Sequence, residues 1–179
     1  MKLIIITGPL ASLKSTITHR LAVDLDGVWL SKDYLKEAMA IDNHPTNQKD
    51  NITMSHAAVN IMISVVKHNI HQHSTWILDA NFKAQEYDMF VMYLNAHYMP
   101  FVSVYLYANT DTLYSRYLNR EPERHPIHQS KKPMSYDTFK VSVNYYHTHF
   151  FNRVTVAFDT TTFNDSAYER LKHMIKTHL

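Results

Sequence analysis

Short apolar runs alternate with amphipathic stretches along the chain, and this alternation predicts an α/β fold. The runs are rich in β-branched and aromatic side chains, which is typical of buried strands. They cover residues 3–7, 28–30, 75–78, 101–106 and 154–158. The stretches between them repeat apolar positions every three to four residues, which predicts helices. These helices cover residues 15–25, 32–41, 51–67, 85–98, 111–119, 136–150 and 166–178. Such an order favours a three-layer domain, with a five-stranded parallel sheet and helices on both faces.

Two polar stretches that contain proline interrupt this pattern. Residues 42–50 are predicted to form a loop. Residues 121–133 contain three prolines and are predicted to form a mobile surface loop. The chain of 179 residues is 45% hydrophobic, which suits a single domain over residues 1–179.

Composition and charge exclude several classes of protein. The formal net charge of +2 argues against a protein that coats nucleic acid, because such a protein would be strongly basic. The absence of cysteine excludes a disulfide framework and a thiolate metal site. No stretch reaches the ~18 apolar residues of a membrane helix. We therefore expect a soluble, cytoplasmic protein with no membrane partner.

Residues 8–16 lie between the first predicted strand and the first predicted helix, where a phosphate-binding loop belongs. Gly8 supplies the turn, Lys14 is expected to reach the nucleotide phosphates, and Ser15 is expected to hold Mg²⁺, with Thr16 beside it. The usual pattern has a second glycine directly before the lysine, and Leu13 stands there instead. A side chain at that position either fits an adapted loop or marks a degenerate loop that binds no nucleotide.

The segment 28–39 (VWLSKDYLKEAM) resembles the acceptor site of the polynucleotide kinase-like and zeta-toxin-like P-loop kinases, small kinases of the AAA type. The resemblance implies that Asp33 is the general base and that Lys36 is a basic acceptor-binding residue, where the family often has arginine. It also implies the sheet order 2-3-1-4-5 and a small lid over about residues 115–135. Chemistry requires such a base independently, because an acceptor hydroxyl must lose its proton as it attacks phosphorus. The alternative is that Asp33 is only an acid in the first turn of a helix.

Further candidates follow the third and fourth strands. Asp79 ends a buried strand and is expected to support Mg²⁺ and substrate, with Asn81 close to the acceptor. Arg116, Arg120 and Arg124 fall in the predicted lid, where arginines neutralise the charge that develops during phosphoryl transfer. We assign Arg116 and Arg120 to catalysis and Arg124 to nucleotide binding. The alternative is a solvated basic face paired with nearby glutamates.

These features together predict an ATP- and Mg²⁺-dependent kinase that phosphorylates a hydroxyl group. A small-molecule acceptor (a nucleoside, a sugar-like metabolite or an antibiotic) is favoured over a polynucleotide 5′-hydroxyl, because acids accompany the lysines near Asp33. A non-catalytic ATP-binding module remains an alternative because of Leu13. The protein is expected to be a monomer or a homodimer.

Overall fold

The computed structural model describes residues 1–43, 48–128 and 132–179. Its sheet has five parallel strands in the order β2-β3-β1-β4-β5, which confirms the predicted fold. The strands are β1 Lys2–Thr7, β2 Val28–Ser31, β3 Thr75–Asp79, β4 Phe101–Tyr107 and β5 Val156–Asp159. Since all strands run in the same direction, their carboxyl ends form one edge, where ligands bind in sheets of this kind.

Seven α-helices connect and follow the strands in the described part of the chain. They are α1 Lys14–Asp24, α2 Lys32–Asn43, α3 Gln48–His68, α4 Ala84–Ala96, α5 Thr110–Arg120, α6 Tyr136–Phe150 and α7 Asp165–Thr177. Two short 3-10 helices follow α5, at Glu121–Glu123 and Pro126–His128.

The central strand β1 is buried on both faces because its side chains alternate between two cores. Leu3 and Ile5 pack with residues of α3, α4 and α6 on one face of the sheet. Ile4 and Ile6 pack with residues of α1 and α7 on the other. A third, smaller core joins α5 to α6 through Leu113, Tyr117, Phe139 and Val143. This packing fixes the positions of the helices that carry the candidate site.

The two predicted loops differ from the structure. The first was placed at residues 42–50, but α2 continues to Asn43 and α3 already begins at Gln48; the rest of that loop lies outside the described residues. The second, residues 121–133, contains both 3-10 helices and buries the side chains of Glu121 and Ile127. Most of its described residues are exposed, so the segment lies on the surface, but each 3-10 helix sets one side chain against the body of the protein. Residues 129–131 lie outside the described part.

Among the described residues, no helix combines the length and the apolar character needed to cross a membrane.

Candidate functional site

Gly8 allows the chain to turn sharply out of β1. Its φ of 156° lies in a region that side chains rarely adopt. A Cβ atom at this position would lie 2.3 Å from the carbonyl oxygen of Leu106 and 2.7 Å from Ser12 Oγ. Only glycine therefore fits here, as predicted from its place at the start of the loop.

Leu13 adopts the backbone conformation that glycine would supply. It is the N-cap of α1 with φ 64° and ψ 20°, in the left-handed region, and its side chain packs against the core on the α1 face. The side chain of Leu13 forms no hydrogen bond that caps the first turn of α1. The backbone N–H groups of this turn are therefore available to an anion, which the helix dipole also favours. The loop has the geometry of a phosphate cradle although its second glycine is replaced.

Lys14 is folded onto its own loop. Its ammonium donates to the carbonyl oxygens of Gly8 at 3.0 Å and Pro9 at 2.7 Å, and lies 3.5 Å from Ser12 Oγ. Burial lowers the pKa of Lys14 to about 8, although the carboxylate of Asp79 opposes this shift. The loop therefore holds a desolvated cation that an incoming anion would stabilise.

Asp79 lies at the carboxyl end of β3, paired in register with Ile6 of β1 and Ser31 of β2. Its side chain is 3% exposed, and burial raises its pKa to about 6 against the opposing effects of Lys14 and a hydrogen bond from Ser15. Its Oδ2 atom has no hydrogen-bond partner in the described part of the chain. An orphaned carboxylate oxygen beside a serine hydroxyl fits the two oxygen ligands that proteins commonly offer to nucleotide-bound Mg²⁺.

A cleft of about 370 Å³ lies over this loop and brings together most of the predicted site residues. Predicted residues in its wall are Leu13, Lys14, Ser15, Thr16, Asp33, Asn81, Arg116 and Arg120. Gly8, Lys36, Asp79 and Arg124 do not line it. Gly8 and Asp79 contact its lining through hydrogen bonds with Lys14 and Ser15, respectively.

The three predicted arginines have different environments. Arg116 donates to the carbonyl oxygens of Thr160 at 2.8 Å and Thr161 at 3.2 Å, which ties α5 to the turn after β5. The Nε atom of Arg120 is buried without a partner among the described residues, and burial lowers the pKa of this side chain. Arg124 pairs with Glu121 at 3.2 Å, but this pair is largely buried and is not part of a solvated basic face. Arg120 is thus the arginine best placed to gain an anionic partner in the cleft.

The acceptor side is formed by the first two turns of α2. Asp33 faces the cleft, and Lys36, three residues later on the same side of the helix, is 6% exposed. Burial lowers the pKa of both Lys32 and Lys36, whereas the charge of Asp33 raises it. Within the described ranges, neither lysine has a carboxylate within 4.0 Å, so two desolvated cations flank the predicted base without forming an ion pair.

Sequence reasoning missed two polar side chains beside Lys36. Asn51 of α3 accepts a hydrogen bond from the Lys36 ammonium. His128, in the second 3-10 helix, has a side chain only 7% exposed and lies 3.1 Å from Glu37. No spacing or motif marks either residue, because each reaches α2 from a distant part of the chain.

A larger cleft of about 670 Å³ lies at the carboxyl ends of β4 and β5. Tyr107, His147, Asp159 and Arg170 are among its lining residues, and no predicted site residue is. The smaller cleft is therefore the candidate site, since Lys14, Ser15 and the predicted base Asp33 all line it.

Chemically, the smaller cleft pairs an anion-binding loop with a carboxylate. The backbone N–H groups of α1, Lys14 and Arg120 can stabilise negative charge on phosphoryl oxygens. Asp33 can accept a proton from a hydroxyl group in the same cleft. The arrangement suits phosphoryl transfer to an alcohol.

Comparisons with known proteins agree on the fold. A family model described as an AAA domain matches residues 3–135. A candidate kinase from Chloroflexus aurantiacus is 21% identical, with a TM-score of 0.81 over 99% of this chain and 98% of that one. A shikimate kinase from Bacteroides thetaiotaomicron is 18% identical, with a TM-score of 0.67 over 97% and 98%. A gluconokinase from Sinorhizobium meliloti is 13% identical, with a TM-score of 0.57 over 98% and 96%. None of the curated proteins matches the chain.

Proposed function

The chain belongs to the AAA domain family, and we propose that it is an ATP-dependent kinase that phosphorylates a hydroxyl group of a small molecule. One observation carries the proposal: Lys14 of the phosphate loop and Asp33 of α2 line the same cleft. A loop that only binds nucleotide needs no carboxylate facing it from a second helix. The names of two similar structures, a shikimate kinase and a gluconokinase, support a small-molecule acceptor.

In the proposed reaction, the loop binds the nucleotide through backbone N–H groups and the Lys14 ammonium. Lys14 exchanges its contacts with Gly8 and Pro9 for phosphate oxygens, which stabilise its charge. Ser15 and Asp79 would hold Mg²⁺, which supplies charge neutralisation on the phosphate oxygens when bound.

Asp33 accepts the proton of the acceptor hydroxyl as its oxygen forms a bond to the γ-phosphorus. The bond between this phosphorus and the β,γ-bridging oxygen breaks, and ADP leaves with the electron pair. Arg120 neutralises the charge that spreads over the transferred group. Asn81, in the wall of the same cleft, is placed to hydrogen-bond the acceptor.

The test measures ADP release from Mg-ATP with pools of nucleosides, sugars, hydroxy acids and alcohol-containing antibiotics. A separate reaction contains a 5′-hydroxyl oligonucleotide. We expect one small-molecule pool to stimulate ADP release, with phosphate recovered on the acceptor. Stimulation by the oligonucleotide alone would establish a polynucleotide kinase instead. Binding of Mg-ATP without stimulation by any acceptor would establish a nucleotide-binding module.

A further inference from the structure

Three separate parts of the chain meet behind the predicted base. We call this contact the acceptor joint and define it as Lys36 and Glu37 of α2, Asn51 of α3, and Ile127 and His128 of the second 3-10 helix. Lys36, Ile127 and the side chain of His128 are each less than 10% exposed. These three groups therefore lie in the interior, whereas Asn51 is half-buried and the side chain of Glu37 is 29% exposed.

Asn51 connects the three parts through one amide group. Its Oδ1 accepts from the Lys36 ammonium, and its Nδ2 donates to the carbonyl oxygen of Ile127 at 2.8 Å. Rotating the amide by 180° would set an NH₂ group against an ammonium and an oxygen against a carbonyl oxygen. Only one orientation satisfies both partners, so the two contacts form together.

A second contact reinforces the first. His128 Nε2 lies 3.1 Å from Glu37 Oε1, one residue along α2 from Lys36. The carboxyl end of residues 121–128 is thus held against α2. Their amino end directly follows α5, whose residues Arg116 and Arg120 line the smaller cleft. Residues 121–128 therefore connect Arg116 and Arg120 of the nucleotide site to Lys36 of the acceptor site.

We infer that Asn51 is a positioning residue that sets the Lys36 ammonium for the acceptor and docks residues 121–128 in the same step. The inference rests on the proposed kinase function for its consequence, but its contacts exist in the free protein. Since one amide serves both partners, a change at Lys36 when the acceptor binds alters the docking of the segment behind the arginines. By thermodynamic reciprocity, docking of the segment then changes the affinity for the acceptor by the same factor.

Two substitutions separate the two contacts of the amide. Asn51→Asp keeps an oxygen for Lys36 but sets a carboxylate against the Ile127 carbonyl, whereas Asn51→Leu removes both contacts. On the free protein, we expect both variants to raise hydrogen–deuterium exchange in a peptide covering residues 124–128 by several-fold. Acetylation of Lys36 by acetic anhydride should slow in Asn51→Asp, because an ion pair favours the unreactive ammonium, and quicken in Asn51→Leu.

Asn60→Leu is the matched control, since Asn60 is an exposed residue of the same helix. It should leave the exchange and the labelling at wild-type rates. Unchanged exchange of residues 124–128 in both Asn51 variants, or an unchanged Lys36 labelling rate in Asn51→Asp, would overturn the inference. Cooperative thermal unfolding of each variant checks that it is folded, and Asn51→Asp alone decides the case if Asn51→Leu does not fold.

A kinetic measurement tests the consequence with whichever acceptor pool supports ADP release. Asn51→Leu should raise KM for the acceptor by about tenfold or more, the effect of losing a hydrogen bond to a charged group. Asn51→Asp should raise this KM by less than Asn51→Leu does, since it retains the contact with Lys36, and should lower kcat because it releases the segment behind the arginines. Equal changes of KM in the two variants would contradict the positioning role. If no acceptor supports ADP release, the proposed function fails, and exchange and labelling still decide whether the joint exists.

Discussion

The phosphate loop and the acceptor joint are built in opposite ways. The loop consists of nine consecutive residues, 8–16, and the groups that we propose bind the phosphates are mainly backbone N–H groups at the start of α1. The joint is assembled from side chains that lie up to 92 positions apart, between Lys36 and His128. A backbone cradle requires a conformation rather than a particular side chain, which is why Leu13 can replace glycine. A side-chain joint requires particular donors and acceptors, so single substitutions should break it.

The largest effect is expected where the loop does depend on a side chain. Lys14→Ala removes the ammonium that now donates to Gly8 and Pro9 and would donate to phosphate oxygens. We expect Mg-ATP affinity to fall and phosphoryl transfer to fall by ~10³ or more, because preorganised charge at the transferred group is lost. Calorimetry and ADP release measure the two effects.

Lys140→Ala is a control for Lys14→Ala, because Lys140 is an exposed lysine of α6. It should behave as wild type in both assays. Unchanged affinity and turnover in Lys14→Ala would show that residues 8–16 are not the nucleotide site.

The next prediction concerns the opposite wall of the cleft. Asp33→Asn keeps the shape of the side chain but removes its ability to accept a proton, so kcat should fall by ~10²–10⁴ while Mg-ATP binding changes little. Glu123→Gln makes a comparable change in the same cleft, at a residue to which we assign no proton transfer. Wild-type turnover in Asp33→Asn would mean that Asp33 is only an acid at the start of α2 and that another group takes the proton.

The difference between the two regions also explains what the sequence could predict. The succession of strands and helices along the chain and the residues of the phosphate loop follow from local patterns, since the apolar runs and the spacing from Gly8 to Lys14 lie within short segments. The sheet order and the role predicted for Asp33 depended on the family resemblance at residues 28–39. Asn51 and His128 carry no local signal, because their role arises only when α3 and the second 3-10 helix pack against α2. Leu13 was unexpected for a related reason: a backbone dihedral is not visible in the identity of a residue.

A smaller effect is the pH dependence of nucleotide binding, which should distinguish Lys14 from Asp79. Burial lowers the pKa of Lys14 to about 8 and raises that of Asp79 to about 6. Nucleotide phosphates favour the ammonium, so Mg-ADP binding near pH 8 should take up about half a proton. Near pH 6, a metal at Asp79 favours the carboxylate, so binding should release about half a proton.

Calorimetry in two buffers of different ionisation enthalpy measures these protons. Lys14→Met should abolish the uptake at pH 8, and Asp79→Asn should abolish its share of the release at pH 6. Titration of the nucleotide itself is common to wild type and variant and cancels in the difference. Identical proton balances in wild type and both variants would show that neither Lys14 nor Asp79 changes its protonation when the nucleotide binds.

The smallest effect is expected at Leu13, the residue that tests how far the backbone alone defines the loop. Glycine at this position would relieve the left-handed conformation at φ 64°, a gain of about 1 kcal/mol, and would lose packing of the partly buried leucine, a cost of about 1 kcal/mol. The free energy of unfolding of Leu13→Gly should therefore lie within about 1 kcal/mol of the wild-type value. The variant should bind Mg-ATP equally well or more tightly, because the directions of the backbone N–H groups are preserved.

Ala11→Gly provides the comparison for Leu13→Gly, since Ala11 has a similar φ of 63° but a much smaller side chain to lose. It should be the more stable of the two variants in chemical denaturation, and the difference between them measures the packing of Leu13 alone. If Leu13→Gly instead loses most of its affinity for Mg-ATP, the leucine side chain is itself an adapted part of the cradle. The phosphate loop would then depend on side-chain packing in the same way as the acceptor joint, and the contrast between the two regions would not hold.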